Sequence, residues 1–261
     1  MGTLTGNVAL VTGGSRGIGR AICLGLAAEG ALVAVHYAED DAAAKEVVTD
    51  IEQAGGSALP VRGRFGDDGD VDTVISALEA GLRERLGRPR LDILVNNAAI
   101  SESAGGIDGE TPEAFDRLFA VNVRAPFFLI QRALPLMSAG GRIINIGSGA
   151  TRIALPGELA YAMTKAAMEN LTRNAANDLG ARGITINMVS PGPTRTERMA
   201  AFLDHPQAQA AVAANQAIER VGTPQDVADV VTFLASDASG WLTANVLDAT
   251  GGSYLGPKRL G

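Results

Sequence analysis

The sequence predicts a doubly wound α/β fold, a parallel sheet of about seven strands with helices on both faces, in a single domain over residues 1–261. Short apolar runs rich in β-branched residues alternate with longer helical patterns along the whole chain. Strands buried on both faces of a parallel sheet have this appearance. No Pro/Ser-rich linker, repeat or low-complexity tract divides the 261 residues, a length that suits one large domain.

The elements follow in a regular order. Strands are predicted at 8–12, 32–37, 58–61, 91–96, 142–147, 184–189 and 245–249, and helices at 20–29, 42–54, 71–86, 112–137, 161–181 and 226–236. Thr223 and Pro224 introduce the last helix as N-cap and first helical residue. The segment 194–221, rich in Ala and Gln, interrupts the alternation. We expect it to form a mobile flap over the carboxyl edge of the sheet, where ligands of open α/β sheets bind.

Composition excludes several function classes. The net charge of −7 and pI near 4.9 argue against a nucleic-acid or anionic-membrane partner, because phosphate-rich surfaces need a basic field. No apolar run reaches membrane-spanning length, so a cytoplasmic protein is expected. One cysteine, Cys23, excludes an internal disulfide. The only histidines, His36 and His205, lie in distant segments, so no metal site is predicted.

A glycine-rich turn follows the first predicted strand. Gly13 permits a tight exit from the strand, Gly17 lets the backbone approach a pyrophosphate, and Gly19 lets the next helix pack closely. Ser15, Arg16 and Ile18 complete the predicted phosphate contacts. The missing Gly-Lys-Ser/Thr excludes a nucleoside-triphosphatase loop. A tight turn without a ligand remains the alternative for the pattern taken alone.

Tyr161 and Lys165 lie four residues apart on a predicted helix. The two side chains share a face, so the ammonium can stabilise a phenolate. Ser148 ends the apolar run 142–147, which brings its hydroxyl to the carboxyl edge of the sheet. Asn122 lies midway along a helix that Pro126 is expected to bend. The alternatives are a surface pair, a turn serine and a buried amide that satisfies the backbone.

These motifs together resemble the short-chain dehydrogenase/reductase family, a Rossmann-type fold. The segments 12–19 and 96–99, then Asn122, Ser148, Tyr161 with Lys165, and finally Pro191 with Gly192 occur in the family's order and cover essentially the whole chain. The segments 36–38 and 219–228 most resemble its 3-oxoacyl-carrier-protein reductase and hydroxynaphthalene reductase branch. The resemblance implies a homotetramer, or at least a homodimer, built from helices 112–137 and 161–181.

The resemblance also implies catalytic roles. Tyr161 would be the general acid that protonates the forming alkoxide. Lys165 would support it and hydrogen-bond the nicotinamide ribose, and Ser148 would hold the substrate oxygen. Asn122 would bind a water that relays protons from Lys165.

The residue that ends the second strand selects the cofactor, because an acid there binds a free 2′-hydroxyl and repels a 2′-phosphate. Tyr37 occupies that position, and the neighbouring His36 and Arg16 can donate to a phosphate. The resemblance implies NADPH, with Arg16 as a principal phosphate contact. NADH remains the alternative if Arg16 is only solvated, and Glu39 and Asp40 could either point into solvent or weaken a phosphate site.

The remaining cofactor contacts are predicted by position. Arg64 stands where the family usually has an acid at the adenine, so it could stack on the base but not accept its protons. The backbone of Phe65 is expected at the base, Asn96 and Ala98 near the adenosine ribose, and Pro191, Gly192, Thr194 and Thr196 around the nicotinamide. Ala244 replaces a glycine usual in the family, which could shift the local backbone.

The leading hypothesis is an NADPH-dependent ketoreductase that transfers hydride to the carbonyl carbon of a small or polyketide-type ketone. The alternatives are an NAD-dependent secondary-alcohol dehydrogenase and a non-catalytic dinucleotide-binding subunit. Substrate contacts are expected from 100–111, 151–159 and the flap. A carrier-protein partner has weak support, since Ala139 and Gly140 offer no positive charge before the catalytic strand.

Overall fold

A computed structural model describes residues 2–101, 106–253 and 255. Seven parallel strands form one sheet in the order β3-β2-β1-β4-β5-β6-β7, so the predicted fold class is confirmed. The strands are β1 (Val8–Val11), β2 (Leu32–Tyr37), β3 (Ser57–Arg62), β4 (Leu91–Asn96), β5 (Met137–Ile146), β6 (Thr185–Pro191) and β7 (Val246–Ala249).

The helices cover both faces of this sheet. They are α1 (Gly17–Ala28), α2 (Asp41–Gln53), α3 (Asp70–Leu86), α4 (Pro112–Phe119), α5 (Ala125–Ala133), α6 (Leu159–Gly180), α7 (Glu197–Leu203), α8 (Pro206–Ala214) and α9 (Pro224–Ala235), with 3-10 turns at Leu134–Leu136, Gly149–Thr151 and Asp237–Ser239. Within the described residues, no helix is long and apolar enough to cross a membrane.

Two buried clusters, one on each face, hold the helices to the sheet. Leu10 of β1 packs in the cluster that includes α3, α5 and α6 residues, whereas its neighbours Ala9 and Val11 pack in the cluster with α1, α2 and α9 residues. Successive strand side chains point to opposite faces. Apolar residues at every position of β1 are therefore what two covered faces require, and the continuous runs in the sequence have this cause.

The strand order reverses between β1 and β4. The chain runs outward from β1 through β2 to β3, then returns to β4 on the other side of β1. Ligands of such sheets bind in the crevice at this switch point, beyond the carboxyl ends of the strands. The ends of β1, β4 and β5 place the glycine turn, Asn96 and Ser148 at this edge.

The predicted helix 112–137 is wrong in two respects. It divides into α4 and α5 around a π-helical segment, Ala120–Arg124, and it ends at Ala133, so that Met137 already belongs to β5. Pro135 explains the early end, because a proline ring lacks the N–H and clashes with the preceding turn of a helix. The bend expected at Pro126 begins one turn earlier, at the π segment.

The segment 194–221 folds as two short helices, α7 and α8, which we call the flap helices. Its two ends are tied to the body of the protein: Thr194 forms a parallel bridge with Gly222, and Gln216 forms an antiparallel bridge with Ser253. The segment therefore leaves the carboxyl edge after β6 and returns to that edge before α9.

Candidate active site

The glycine turn has the geometry that close approach of a phosphate requires. Gly13 and Gly17 have positive φ angles of 63° and 53°, a region that L side chains rarely adopt. A Cβ added at Gly19 would lie 2.0 Å from the carbonyl oxygen of Gly13, so no larger residue fits. The N-terminus of α1, where unpaired N–H groups favour anions, therefore opens directly onto the turn.

Two side chains fix this turn to β4. Thr12 Oγ1 accepts hydrogen bonds from the backbone N–H groups of Asn97 (2.9 Å) and Ala98 (3.0 Å). Asn97 Nδ2 donates to the carbonyl oxygens of Thr12 (2.8 Å) and Gly13 (3.0 Å). Thr12 and Asn97 were not among the predicted site residues. Their positions beside Gly13 and Asn96 were the available signal, but their partners lie 85 residues apart in the chain.

His36 lies beneath the glycine turn. Its side chain is buried, its Nδ1 accepts the N–H of Gly13 at 3.1 Å, and its ring stacks on Phe65 with 4.7 Å between centroids. Burial lowers the pKa of the imidazole to about 4, so the ring is neutral near pH 7. The buried, neutral His36 ring accepts a hydrogen bond from Gly13 and thereby supports the glycine turn. This role differs from the predicted one, in which His36 donates to a phosphate.

Around the end of β2, the acidic side chains have partners, and two arginines make no side-chain hydrogen bond in the part of the chain that the structure describes, although the charge of Arg62 acts on Tyr37 and Asp41. Tyr37 donates its hydroxyl hydrogen bond to Asp41, and burial, followed by Asp41, raises the tyrosine pKa. Lys45 also pairs with Asp41 at 2.8 Å. Among the described residues, Arg16 and Arg62 have no hydrogen-bonded or ion-paired partner. Arg62 pairs with Tyr37 in the sheet register and was not predicted as a site residue.

The neighbouring acids Glu39 and Asp40 have structural partners. Asp40 caps α2 by accepting the N–H of Ala43 at 3.0 Å, and Glu39 forms an exposed ion pair with Arg64 at 3.2 Å. Arg64, the predicted adenine contact, thus has its guanidinium group on the surface beside the Glu39 carboxylate. Phe65 is buried against His36, which leaves its backbone as the part available for a base.

Lys165, one of the predicted catalytic residues, is buried. Its Nζ donates to the carbonyl oxygen of Ile146 at 2.9 Å and lies 5.6 Å from the centroid of the Tyr161 ring. The Tyr161 ring is only half-buried. The two side chains therefore share the face of α6 that the i, i+4 spacing predicts. The lysine, at 4% exposure, is held by the strand that leads to Ser148.

Asn122 lies in the π-helical segment and contacts the loop after β4. Its Oδ1 accepts the N–H of Ile100 at 2.9 Å, and its Nδ2 donates to the carbonyl of the same residue at 2.8 Å. Nδ2 is also 3.2 Å from Thr164 Oγ1 on α6. The amide thus pins the β4 loop beside the helix that carries Tyr161. Single π turns inside α-helices are frequent at functional sites.

Ser148 caps the short turn after β5. Its Oγ accepts the N–H of Ala150 at 3.2 Å. Ser148 therefore lies at the sheet edge, as predicted, and also acts as a cap residue, as the alternative interpretation proposed. A hydroxyl that accepts one hydrogen bond keeps its own proton to donate. Ser148 can therefore donate to a carbonyl oxygen without losing its cap.

A small internal cavity touches many of the predicted residues. Its volume is about 10 Å³, close to what one water molecule needs. Polar groups of Asn122 and Lys165 reach it together with the adenosine-side residues. The lining is Thr12, Phe65, Asn96, Ala98, Val121, Asn122, Pro126, Leu129, Ile146, Lys165 and Met168.

On the nicotinamide side, Pro191 ends β6 and Thr194 is buried. Thr194 donates to the carbonyl of Gly192 at 2.9 Å, so its hydroxyl serves the flap base rather than pointing freely into the crevice. Thr196 begins α7 and is half-buried; a Cβ built on Gly17 would lie 3.3 Å from its methyl group. The start of the flap therefore abuts the glycine turn.

Two of the predicted substrate segments contact each other. Residues 102–105 of the first lie outside the described residues, whereas Ser101 accepts a hydrogen bond from Arg198 of α7 at 2.8 Å. Glu158, in the segment 151–159, stands directly before α6, and its side chain makes no capping hydrogen bond. Arg198 was not among the predicted site residues, because the sequence of the flap helices contains no recognisable motif. No cluster of metal-binding side chains occurs in the described ranges.

A dinucleotide-type glycine turn and a Tyr-Lys pair at one sheet edge are the parts of an oxidoreductase that uses a nicotinamide cofactor. The family model described as enoyl-(acyl carrier protein) reductase matches residues 13–253, and this chain belongs to the short-chain dehydrogenase/reductase family. A curated relative, tetrahydroxynaphthalene reductase of Pyricularia oryzae, is 36% identical over 97% of this chain and 91% of its own. The predicted resemblance to the hydroxynaphthalene reductase branch is confirmed.

Two solved structures are similar over nearly their whole length. The reductase LugOII, described as catalysing keto-reduction at C1 during lugdunomycin biosynthesis, is 53% identical with a TM-score of 0.93, over 97% of this chain and 100% of its own. The angucycline C-6 ketoreductase LanV, solved with bound NADP, is 48% identical with a TM-score of 0.93, over 98% of each chain. This chain is thus similar to enzymes that reduce ketones.

Proposed function

We propose that this protein is an NADPH-dependent ketoreductase that acts on a polycyclic aromatic ketone of the polyketide type. The observation that carries the proposal is the buried Lys165, held by Ile146 beneath the Tyr161 ring at the end of a dinucleotide crevice. The similar ketoreductases LugOII and LanV support the reaction class. The half-buried Tyr161 is open to a substrate in the crevice.

The residues fit a phosphorylated dinucleotide. The Gly19 site admits no Cβ, the turn opens at a helix N-terminus, and Arg16 has no partner in the described chain. The acid nearest Tyr37 is already bound to it and to Lys45. NADP in LanV supports the same assignment. Gly13, Ser15, Arg16, Gly17 and Ile18 would hold the phosphates, with Arg62 as an additional cation.

When bound, the reduced nicotinamide supplies the hydride for the carbonyl carbon. Tyr161 donates a proton to the carbonyl oxygen, and Ser148 donates a hydrogen bond that positions that oxygen. Lys165 stabilises the resulting phenolate, because an ammonium near an anion favours its charged form. Asn122 fixes the β4 loop and helps to line the small cavity, from which a water could return a proton toward Lys165.

The assembly is proposed from exposed apolar side chains. Phe127 and Phe128 on α5 are 45% and 44% exposed, and Leu159 and Met163 on α6 are 46% and 45% exposed. These two helices are the ones that the family resemblance assigns to an interface. Self-association into a homodimer or homotetramer would cover this apolar surface.

Equilibrium titration with NADPH and NADH tests the cofactor, and turnover of a panel of polycyclic aromatic ketones tests the reaction. We expect NADPH to bind at least about 10-fold more tightly than NADH, as a charge-assisted contact to phosphate implies. The Arg16→Ala variant should remove most of that preference. Alcohol should form in equal amount to the NADPH consumed. Preference for NADH, or NADPH loss without alcohol, would contradict the proposal.

A further inference from the structure

Glu158 has a buried carboxylate oxygen without a partner in the described chain, three residues before Tyr161. Its Oε2 is inaccessible to solvent and has no hydrogen bond within the described part of the chain. Burial, opposed by the nearby Arg198, raises the pKa of this carboxyl. An unsatisfied buried acceptor is costly. The protein therefore keeps an acceptor here that its own described residues do not use.

Glu158 stands directly before α6, three residues from Tyr161 in the chain. Its backbone carbonyl accepts the N–H of Ala162, but its side chain makes no capping hydrogen bond. Capping thus does not explain this carboxylate.

The opposite charge closest to Glu158 is committed to another contact. Arg198 affects Glu158 only through its charge, while its Nη1 donates to Ser101 at 2.8 Å. The contact joins flap helix α7 to the loop after β4. The Glu158 carboxyl therefore lies near Arg198 of flap helix α7, which contacts Ser101 after β4.

Flap helix α7 and the segment before α6 also supply apolar surface. Leu155, three residues before Glu158, is 40% exposed, and Phe202 on α7 is 52% exposed. Binding sites for small molecules are mostly apolar, with a few polar groups that fix orientation. A flat aromatic scaffold suits such walls, and a hydrogen-bond donor on its rim would suit Oε2.

We propose that Glu158 is a specificity-determining residue whose carboxyl accepts a hydrogen bond from a hydroxyl group of the substrate, remote from the ketone that is reduced. The inference rests on the proposed function and narrows its substrate class to hydroxylated aromatic ketones. The contact orients the ring so that the carbonyl faces Tyr161. A substrate without the hydroxyl leaves the buried oxygen unpaired and binds more weakly.

The test compares hydroxylated ligands with ethers in which one hydroxyl is methylated, so that the oxygen at that position can no longer donate a hydrogen bond. Binding of the dihydroxynaphthalenes and their monomethyl ethers to the NADP-loaded protein is measured by fluorescence titration, and reduction of 2-tetralone and its ring-hydroxylated isomers by kcat/KM. At least one hydroxylated isomer should bind 10- to 100-fold more tightly than its ether, the range of a hydrogen bond to a charged group. The matching tetralone should show a similar advantage in kcat/KM.

The Glu158→Leu variant should abolish that preference, so that kcat/KM for the preferred hydroxylated tetralone falls at least about 10-fold relative to that for unsubstituted 2-tetralone. Glu158→Gln keeps an acceptor and should retain part of the preference. Glu113→Gln, an exposed acid at the start of α4, is the matched control and should behave as wild type. A preference that survives Glu158→Leu, or no isomer that binds better than its ether, overturns the inference.

Two further results separate the explanations. If Glu158 served only as a counter-charge for Arg198, then Arg198→Ala and Glu158→Leu would weaken hydroxylated and methylated ligands equally, and the inference would be overturned. If the hydroxyl preference in binding depends on Glu158 but no ketone is reduced, the inference holds and the proposed reaction fails. The binding arm therefore distinguishes the two failures.

Discussion

Single polar side chains of the site are held mainly by backbone groups. Lys165 is bound by the carbonyl of Ile146, Asn122 by both backbone groups of Ile100, and His36 by the N–H of Gly13. Backbone partners move little, so each side chain is fixed by the sheet edge beneath it. Fixed donors and acceptors need no reorganisation during the reaction, which favours catalysis.

The buried His36 predicts a loss of stability in acid. The unfolded chain takes up a proton near pH 6.5, whereas burial lowers the folded pKa to about 4, so the contribution is present above 6.5 and falls as the pH drops toward 4. Between pH 7.5 and 5.5 this amounts to about 1.4 kcal/mol of unfolding free energy. Urea unfolding should show this change in wild type and a correspondingly smaller one in His36→Asn, which keeps an acceptor. An equal change in unfolding free energy between pH 7.5 and 5.5 in wild type and His36→Asn would contradict this prediction.

Replacing Ala244 with glycine is predicted to stabilise the folded protein. It is the one non-glycine residue in the described ranges with a positive φ, 63°, at the position where the resemblance expects glycine. The left-handed region costs about 1–2 kcal/mol for an L side chain, and glycine costs about 0.5–1 kcal/mol in chain entropy. Ala244→Gly should therefore raise the unfolding free energy by about 0.5–1 kcal/mol in urea titrations. A decrease would show that the backbone there is not strained.

At the scale of elements, periodicity predicted the strands well because both faces of the sheet are covered. All seven predicted strands exist, and the ends of β2 and β4 match the predicted residues. Pro126 indicated a bend in the helix, but the π form of the segment and the contact of Asn122 with Ile100, 22 residues away, had no local signal. Pro135 indicated the end of α5, but the predicted helix continued past it. The burial of His36 under the glycine turn had no signal in the neighbouring sequence.

Pro126 predicts a link between the π segment and activity. Proline has no N–H to give to the carbonyl of Asn122, four residues earlier, so a regular helix cannot form there. Pro126→Ala restores that donor and favours an α-helical path that would rotate Asn122 away from Ile100. We expect kcat to fall about 10-fold or more, since small misplacements are costly in catalysis.

Thermal unfolding separates this effect from simple destabilisation. Pro126→Ala should lower Tm less than Ile130→Ala, which empties a buried site on the same helix away from the small cavity. The Ile130 variant should keep kcat near wild type at temperatures where it is folded. Unchanged kcat in Pro126→Ala would show that the π segment does not position Asn122.

At the scale of the whole molecule, the apolar side chains of α5 and α6 predict self-association. Phe127 and Phe128 contact each other edge to face at 5.2 Å yet remain nearly half exposed. Sedimentation should find a dimer or tetramer for wild type. The double change Phe127→Ser with Phe128→Ser should yield a smaller species, whereas Ile107→Ser, at an 82% exposed site on neither helix, should not. An unchanged assembly in the double variant would place the interface elsewhere.

Sequence motifs identified the family and the crevice because the fold brings strand ends to one edge regardless of their distance along the chain. The segment 151–159 was expected to contact substrate and contains Glu158, but the oxygen of Glu158 that lacks a partner in the described chain had no sequence signal, and Arg198 was not singled out within the flap.

The central claim, that Tyr161 protonates a ketone oxygen during hydride transfer, is tested most directly by kcat/KM for NADPH-dependent ketone reduction in wild type and Tyr161→Phe. The phenylalanine keeps the ring over Lys165 but has no proton to donate. A general acid contributes about 10²- to 10⁴-fold, so we predict a loss in that range with unchanged NADPH affinity. A variant within about threefold of wild type would contradict the account.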